Sequence, residues 1–292
     1  MKKLFIYLQY ESVGPRSDQP LDLPPSLLAE YTDFAQQLAQ VAGATILPYW
    51  RLPIDVESKD DESPVTIADR AAELAMRTMV EERYPQHGIV GEEFGVKNQD
   101  AEFVWVFDPI DGTKSFITGK PLFGTLIALL HKGTPIIGVI DQCVLKERWV
   151  GSIGNPTTLN GQIVQTSQKA TKLDDAILYC TSPDMFTSPH EESIFNRVQA
   201  KSKLILYGGD CYGYAIVASG FGADGVIEAG LGLYDYCSLV PILEGAGGII
   251  TDWNGRPLSL QNHRASEGRV IASSNAELHN NLLQEIGQPR LE

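Results

Sequence analysis

Residues 104–116 read VWVFDPIDGTKSF, and the side chains in this stretch able to do chemistry are two aspartates, Asp108 and Asp111, at the end of an apolar run. Asp-Pro followed by Asp-Gly forces a turn, since proline presets φ and glycine tolerates a left-handed one. Both carboxylates can then converge at the carboxyl end of a strand, where α/β folds place ligands. Thr113 and Lys114 come next and can open a short helix, whose free N–H groups suit a phosphate. Upstream, Glu92 and Glu93 stand in a glycine-bounded turn. Far downstream, Asp235 stands in LYDYCSL at the expected start of a helix. Hard oxygen ligands at element ends suit Mg²⁺ or Ca²⁺ better than zinc. Phosphomonoester hydrolysis needs such a site to neutralise the phosphate, activate a water and stabilise the leaving oxygen. The same residues also have ordinary readings. Asp-Pro and Asp-Gly are common turn formers, Asp235 alone would cap a helix, and Glu92 and Glu93 alone would be solvated. Composition and spacing by themselves leave the metal site and the plain turns equally open.

The elements that must position these groups are legible as periodicities. After Pro24 and Pro25, Ser26 is the expected N-cap of a helix over 27–49, with Leu27, Leu28, Tyr31, Phe34, Ala35, Leu38, Val41 and Ala42 at helical spacing. A polar loop, DVESKDDESP, leads to a second helix, VTIADRAAELAMRTMVEERYP, stopped at Pro85. GIVGEEFG and VWVFD follow. Then come two β-branched runs, LFGTLIALL and TPIIGVID, with Gly133 and Thr134 expected as the hairpin turn, and KERWVGSI continues the sheet. From about residue 156 short apolar strands (AILYC, KLILY, DGVIEA, GGIIT, RVIASS) alternate with helices expected near 190–201, 211–221, 235–246 and 275–287. The fold class is α/β, with an α+β N-terminal half over 26–155 and an α/β half over 156–292 that would set substrate specificity. The two halves form one catalytic unit behind an irregular extension, 1–25.

Composition bounds the function. The 292 residues are 43% hydrophobic and 21% charged, enough apolar surface for a real core. A net charge of −14 argues against a nucleic-acid backbone or an anionic membrane as partner. Cys143, Cys180, Cys211 and Cys237 are widely spaced and read as free thiols of a reducing cytoplasm. MKKLFIYLQYESVG lacks a full signal-peptide apolar region, and no apolar stretch is long enough for a membrane span. His87, His131, His190, His263 and His279 show neither triad-like nor metal-like spacing.

Taken together, GEE, DPIDGT, KDDESPVTIAD and a late aspartate before a helix ending in EGAGG resemble the inositol monophosphatase superfamily, from about residue 27 onward. The resemblance implies a layered α-β-α-β-α sandwich, hydrolysis of a small phosphomonoester with two or three Mg²⁺ per site (Mn²⁺ as a possible substitute), lithium inhibition and a homodimer. By motif position, Glu92, Asp108, Asp111, Asp235 and the carbonyl of Ile110 match metal ligands. Thr113 matches the hydroxyl that orients the attacking water, and Asp69 its acidic partner in proton transfer. Gly112 and Thr113 match the backbone donors to the phosphate. Lys59 either steers the phosphate or is solvated, with the solvated reading preferred, and Glu93 reads as structural.

The leaving group is read from the C-terminal half, where Gly209, Asp210, Cys211, Glu228 and Asp235 match substrate-facing positions of that superfamily. An acid at Asp210, where inositol phosphatases commonly have a small neutral residue, suits a cationic leaving group. GGDCY followed by EGAGG-x-ITDW-x-G resembles the histidinol-phosphatase type, whose substrate carries an amine and an imidazole; Asp210 and Glu228 would contact them. Alternatively Asp210 merely N-caps the helix starting near Cys211. Tyr234 stands where many relatives have Trp, Cys237 and Ser238 where small residues are common, and the first 25 residues have no counterpart. An inositol-1-phosphate or broad phosphatase is the second reading. A bisphosphate nucleotidase ranks lower for want of a basic cluster, and an inactive regulatory relative is opposed by the complete set of matched ligands.

Overall fold

The computed structural model describes residues 23–53, 56–58 and 64–287. Helix α1 spans Pro25–Ile46 with Pro24 at its N-cap, so Ser26 lies inside the first turn rather than capping it. Proline suits the first helical positions because those N–H groups have no intrahelical partner. The helix stops three residues before the expected end: Pro48 has no N–H to continue the ladder, and Leu47–Tyr49 close as a 3₁₀ turn. Strands β1 (Val56–Ser58) and β2 (Pro64–Thr66) pair antiparallel ahead of helix α2 (Ile67–Arg83). Thr66 caps α2 in a reciprocal box: its hydroxyl accepts from the Ala68 N–H, and Asp69 Oδ2 accepts from the Thr66 N–H at 2.8 Å. Most of the acidic loop before β2, with Lys59, lies outside the described residues, as does most of the 1–25 extension.

The strands β3 (Gly88–Gly91), β4 (Gly95–Lys97), β5 (Phe103–Asp111), β6 (Gly124–His131), β7 (Thr134–Gln142), β8 (Glu147–Ser152), β9 (Asn155–Leu159) and β10 (Gln162–Ile163) form one sheet, with helix α3 (Thr113–Ile117) between β5 and β6. Its order is β10-β9-β8-β7-β6-β5-β3-β4; β3 runs parallel to β5 and the other pairs are antiparallel. The sheet runs on to Ile163, past the boundary expected near residue 155. The β6–β7 turn is Lys132–Gly133, one residue earlier than expected. Both have positive φ, 50° and 81°, as a tight two-residue hairpin requires.

Beyond it, β11 (Ile177–Cys180), helix α4 (Pro189–Lys201), β12 (Leu204–Tyr207), α5 (Asp210–Ser219), β13 (Gly225–Glu228), α6 (Leu233–Tyr236), α7 (Leu239–Gly245), β14 (Ile249–Asp252), α8 (His263–Ser266), β15 (Val270–Ser273) and α9 (Ala276–Ile286) complete the described chain. The second sheet is ordered β12-β11-β13-β15-β14. The helix expected over 235–246 is broken into α6 and α7, with Cys237 and Ser238 between them.

Alternation along the strands turns these elements into five layers. Trp105, Phe107, Ile127 and Leu129 face one core with α1 and α2. Val104, Val106, Leu126 and Ala128 face a second core with α5, α6 and α7. The second sheet closes that middle core with Val226, Val270 and Ala272, and turns Leu178, Ile227 and Ile271 to a third core under α4 and α9. The order is therefore α-β-α-β-α, with α7 packed on β7, β8 and β14. No described helix is long and apolar enough to cross a membrane. Leu38 sits fully buried in the first core. Leu38→Ala should cost about 2–5 kcal/mol in urea denaturation; a loss under about 1 kcal/mol would mean that α1 is not part of the cooperative core.

Candidate active site

A regular strand would point Asp108 and Asp111 to opposite faces, because side chains alternate and the two are an odd number apart. The pairing shows how this is avoided. Asp108 faces Leu126 while Asp111 faces Gly124, so β5 spends one residue more than β6 on the interval. The bulge flips the alternation: Ile110 falls into the α1–α2 core, and Asp111 returns to the side of Asp108. Local bonds hold the bulge. The Ile110 N–H donates to Asp108 Oδ1 at 3.0 Å, and the Thr125 hydroxyl donates to the Pro109 carbonyl at 2.8 Å. Gly112, at φ 86°, completes the turn; a Cβ there would sit 3.1 Å from the Asp210 carboxylate and from the Leu122 carbonyl.

Asp235 arrives from α6, with Oδ2 accepting the Gly232 N–H at 2.6 Å. Asp108, Asp111 and Asp235 each place a carboxylate oxygen within 4.8 Å of the others. Glu92 lies beyond the end of β3, beside Asp108 on the parallel neighbour, and its N–H donates to the Phe107 carbonyl at 3.1 Å. Burial raises Asp108, and the charges of Glu92, Asp111 and Asp235 raise it further. Burial, Asp210 and Asp235 raise Asp111. Burial pushes Asp235 up to about 7 despite the Gly232 N–H. Buried carboxylates that oppose one another's ionisation, all hard oxygen donors, fit a divalent cation such as Mg²⁺ or Mn²⁺.

A second pair of groups, not singled out in the sequence, braces this cluster. Glu73, fully buried on α2, accepts the Glu93 N–H at 2.7 Å and the Phe94 N–H at 3.1 Å, so it grips the turn just after Glu92. Arg77 Nε donates to Glu73 Oε1 at 2.7 Å, and its Nη2 donates to the Gly95 carbonyl. Glycine at 91 is required, since a Cβ there would lie 1.9 Å from Glu73 Oε1. The signal was the glycine-flanked GEEFG itself, but nothing in sequence spacing couples it to a glutamate some twenty residues upstream. Glu93 thus serves the turn through its backbone.

The C-terminal half closes the site. Gly209 is the N-cap of α5 and Asp210 its first helical residue, so the N-cap reading of Asp210 does not hold. Asp210 sits at φ 44° with its carboxylate over Gly112, its Oδ2 3.5 Å from the Ser115 hydroxyl. Burial pushes it up to about 6 against the pull of Ser115, Lys114 and Lys120. The Cys211 N–H donates to Asp111 Oδ2 at 2.6 Å, and burial raises its thiol well above the usual range, so the backbone serves the site and the sulfur is inert. Glu228 ends β13, with burial pushing it up to about 7. Asp111, Asp210, Glu228 and Asp235 share the lining of a cavity of about 90 Å³ in which no lining residue is Lys, Arg or His. A larger concavity of about 590 Å³ lies between α1 and β7–β8, but its Asp141–Arg148 pair is closed on itself at 2.7 Å.

The Thr113–Asp69 pair implied by the resemblance is not formed. The Thr113 hydroxyl donates to the Ile110 carbonyl at 3.1 Å, while Asp69 Oδ2 serves the α2 capping box. Asp69 Oδ1 is buried without a partner, and the group is pushed up to about 6 by burial, with Glu92 adding to the rise. The histidines stay away from the cluster: His87 accepts from Trp105, His131 meets Glu102, His263 meets Tyr236, and His279 bridges Thr251 and Ser273.

Comparison with known proteins shows the family. Residues 27–288 match the model of the inositol monophosphatase family. The chain is 48% identical to the chloroplastic bifunctional phosphatase IMPL2 of Arabidopsis thaliana, over 92% of this chain and 79% of that one. It is 34% identical to a histidinol-phosphatase of Chlorobaculum parvum, over 87% and 95%. The solved inositol monophosphatase of Zymomonas mobilis superposes with a TM-score of 0.80 at 43% identity, over 89% of this chain and 98% of that one. The chain belongs to the inositol monophosphatase family and is a metal-dependent phosphomonoester hydrolase.

Two measurements test the cluster. Between about pH 4 and 7 the metal-free fold holds protons on these raised carboxylates that the unfolded chain has lost, so their contribution to stability falls as pH rises. Buried His87 and His279, held down to about 4, contribute with the opposite sign, so the difference between melts in Mg²⁺ and in chelator isolates the cluster. The Mg²⁺-induced rise in Tm should grow from pH 5.5 to pH 8; a rise that does not change with pH would remove the cluster from metal binding. Glu73→Gln, folded by circular dichroism, should weaken Mn²⁺ binding in calorimetry by about 10-fold, and wild-type affinity would reduce the brace to packing.

Proposed function

With family membership as the premise, we propose that the protein is a Mg²⁺-dependent histidinol-phosphate phosphatase acting in histidine synthesis. The observation that carries this reading is the cavity beside the acidic cluster, lined by four carboxylates and no basic side chain. Asp111 and Asp235 belong to the cluster, which leaves the carboxyl groups of Asp210 and Glu228 to face whatever leaves the phosphate. An amine or imidazolium offsets the burial of those acids, whereas a neutral polyol does so less. The name of the Chlorobaculum parvum relative supports the same substrate.

In this reading Glu92, Asp108, Asp111, Asp235 and the Ile110 carbonyl hold Mg²⁺, with Mn²⁺ as a substitute. Bound there, the metal supplies Lewis-acid stabilisation of the phosphate and a lowered pKa for a water nucleophile. Gly112 and Thr113 offer backbone N–H groups to the phosphate, with Gly209 and Cys211 forming the adjoining wall. The Thr113 hydroxyl orients the attacking water. Asp69, pushed up to about 6 and carrying a free buried oxygen, is suited to take part in moving its proton. The second reading, an inositol-1-phosphate phosphatase, is favoured by the Zymomonas mobilis neighbour and by Ser115, Lys114 and Lys120, which offset the charge of Asp210. We further propose a homodimer, supported by the edge strand β12 with Leu204 and Tyr207 exposed, and a reducing compartment such as the cytoplasm, supported by four free cysteines.

Phosphate release in Mg²⁺, with a chelator control, tests the reading through kcat/KM for L-histidinol phosphate and D,L-inositol 1-phosphate. Histidinol phosphate should be preferred, and Asp210→Ala should lower the ratio by at least about 10-fold. Equal rates in the wild type would make the broad phosphatase the better reading. Equal losses on both substrates would leave Asp210 without a selecting role.

A further inference from the structure

Glu228 is 3% exposed, and its two oxygens are already gripped. Oε1 accepts the Thr181 N–H at 3.0 Å and the Thr181 hydroxyl at 2.6 Å; Oε2 accepts the Tyr214 hydroxyl at 2.8 Å. Thr181 follows the end of β11, the parallel neighbour of β13, so strand register alone sets it beside Glu228. Tyr214, 1% exposed, reaches the same carboxylate from one turn into α5. The Thr181 hydroxyl also accepts the Asp210 N–H at 3.1 Å. A hydroxyl has one proton to give, so here it donates to Glu228 and accepts from Asp210. One oxygen therefore ties together the two acids that face the leaving group. Asp210 needs that tie, because φ 44° is a left-handed conformation that a non-glycine residue adopts only when its surroundings hold it.

From this geometry we propose that Thr181 and Tyr214 are positioning residues for leaving-group selection, holding Glu228 and Asp210 as a fixed pair of acids for a cationic leaving group. The proposal rests on the cationic reading above. Three donors on one carboxylate oppose, without overcoming, the burial that pushes Glu228 up to about 7, and an arriving cation moves it further toward the ionised form. They also freeze the side chain, so that no ordering is left to be done when the substrate arrives. With two donors on Oε1 and one on Oε2, the acceptor site left to Glu228 is on Oε2, and the residue lines the cavity together with Asp210. Neither residue touches the reacting phosphate in this scheme. Their effect belongs in KM for the cationic substrate more than in kcat.

The test uses the full-length protein in Mg²⁺ and three variants: Tyr214→Phe, Thr181→Val and Thr181→Ser. The readouts are kcat and KM separately for L-histidinol phosphate, the kcat/KM ratio against D,L-inositol 1-phosphate, and Mn²⁺ affinity by calorimetry as a check on the neighbouring cluster. Tyr214→Phe and Thr181→Val should each lower the ratio by about 10-fold or more, mainly through KM, while Thr181→Ser, which keeps the hydroxyl, stays within about 3-fold of wild type. Tyr214→Phe removes a single oxygen, so it reports even if Thr181→Val fails to fold. A wild-type preference that Tyr214→Phe retains, or an equal loss on both substrates, overturns the clamp alone. A wild-type ratio near one overturns the cationic reading and the clamp with it.

Discussion

Like-charge crowding is the constraint to which the rest of this molecule answers. Asp108, Asp111 and Asp235 meet within a few ångströms, with Glu92, Asp69, Asp210 and Glu228 around them. Left to themselves such groups would splay toward water, because burial and mutual repulsion both disfavour their ionised forms. The central acids are therefore each held by a backbone donor as well as by one another. Asp108 accepts a backbone N–H from its own bulge, and Asp111 accepts one from the first turn of α5. Asp235 is tied to the turn that opens α6, and Asp69 to the one that opens α2. Backbone donors are rigid, so the acids stay together and their repulsion is relieved by the protons they retain. A cation held by these carboxylates would take the place of those protons, which couples metal affinity to pH.

The layering follows from the same requirement. Five layers give three apolar cores, and the acids lie where the strand ends of β3 and β5 meet α5 and α6. A site of this charge needs stiff walls on several sides, and one sheet with one helix layer would leave it open to solvent.

Much of this is legible in the residues alone, for identifiable reasons. DPIDGT announces its turn because proline and glycine restrict the backbone locally, and β13, β14 and β15 are legible because buried apolar runs bounded by glycine and polar residues have few other uses. What stays hidden is coupling across long sequence distances. Glu73 looks like any acid on an amphipathic helix, and only the fold puts it under the turn after Glu92. Thr181 looks like a loop threonine until β11 and β13 are set side by side. Asp210 is legible as a residue out of place but not as a residue held at positive φ, since cap and selector demand the same side chain. The Thr113–Asp69 pairing is absent for a related reason: the Thr113 hydroxyl has a local partner in the Ile110 carbonyl, three residues back, and local bonds form at lower entropic cost.

The division of labour between the two sheets has a consequence for how such a protein can change over generations. Glu92, Asp108 and Asp111 come from the first sheet; Thr181, Glu228 and Asp210 come from the second sheet and the helix that follows β12. On the proposed reading, substitutions confined to the second set would redirect the enzyme toward a different alcohol while leaving the metal cluster in place. The joint between the sets includes the N–H of Cys211 on Asp111, the Asp210 carboxylate over Gly112 and Ser115, and the shared position of Asp235.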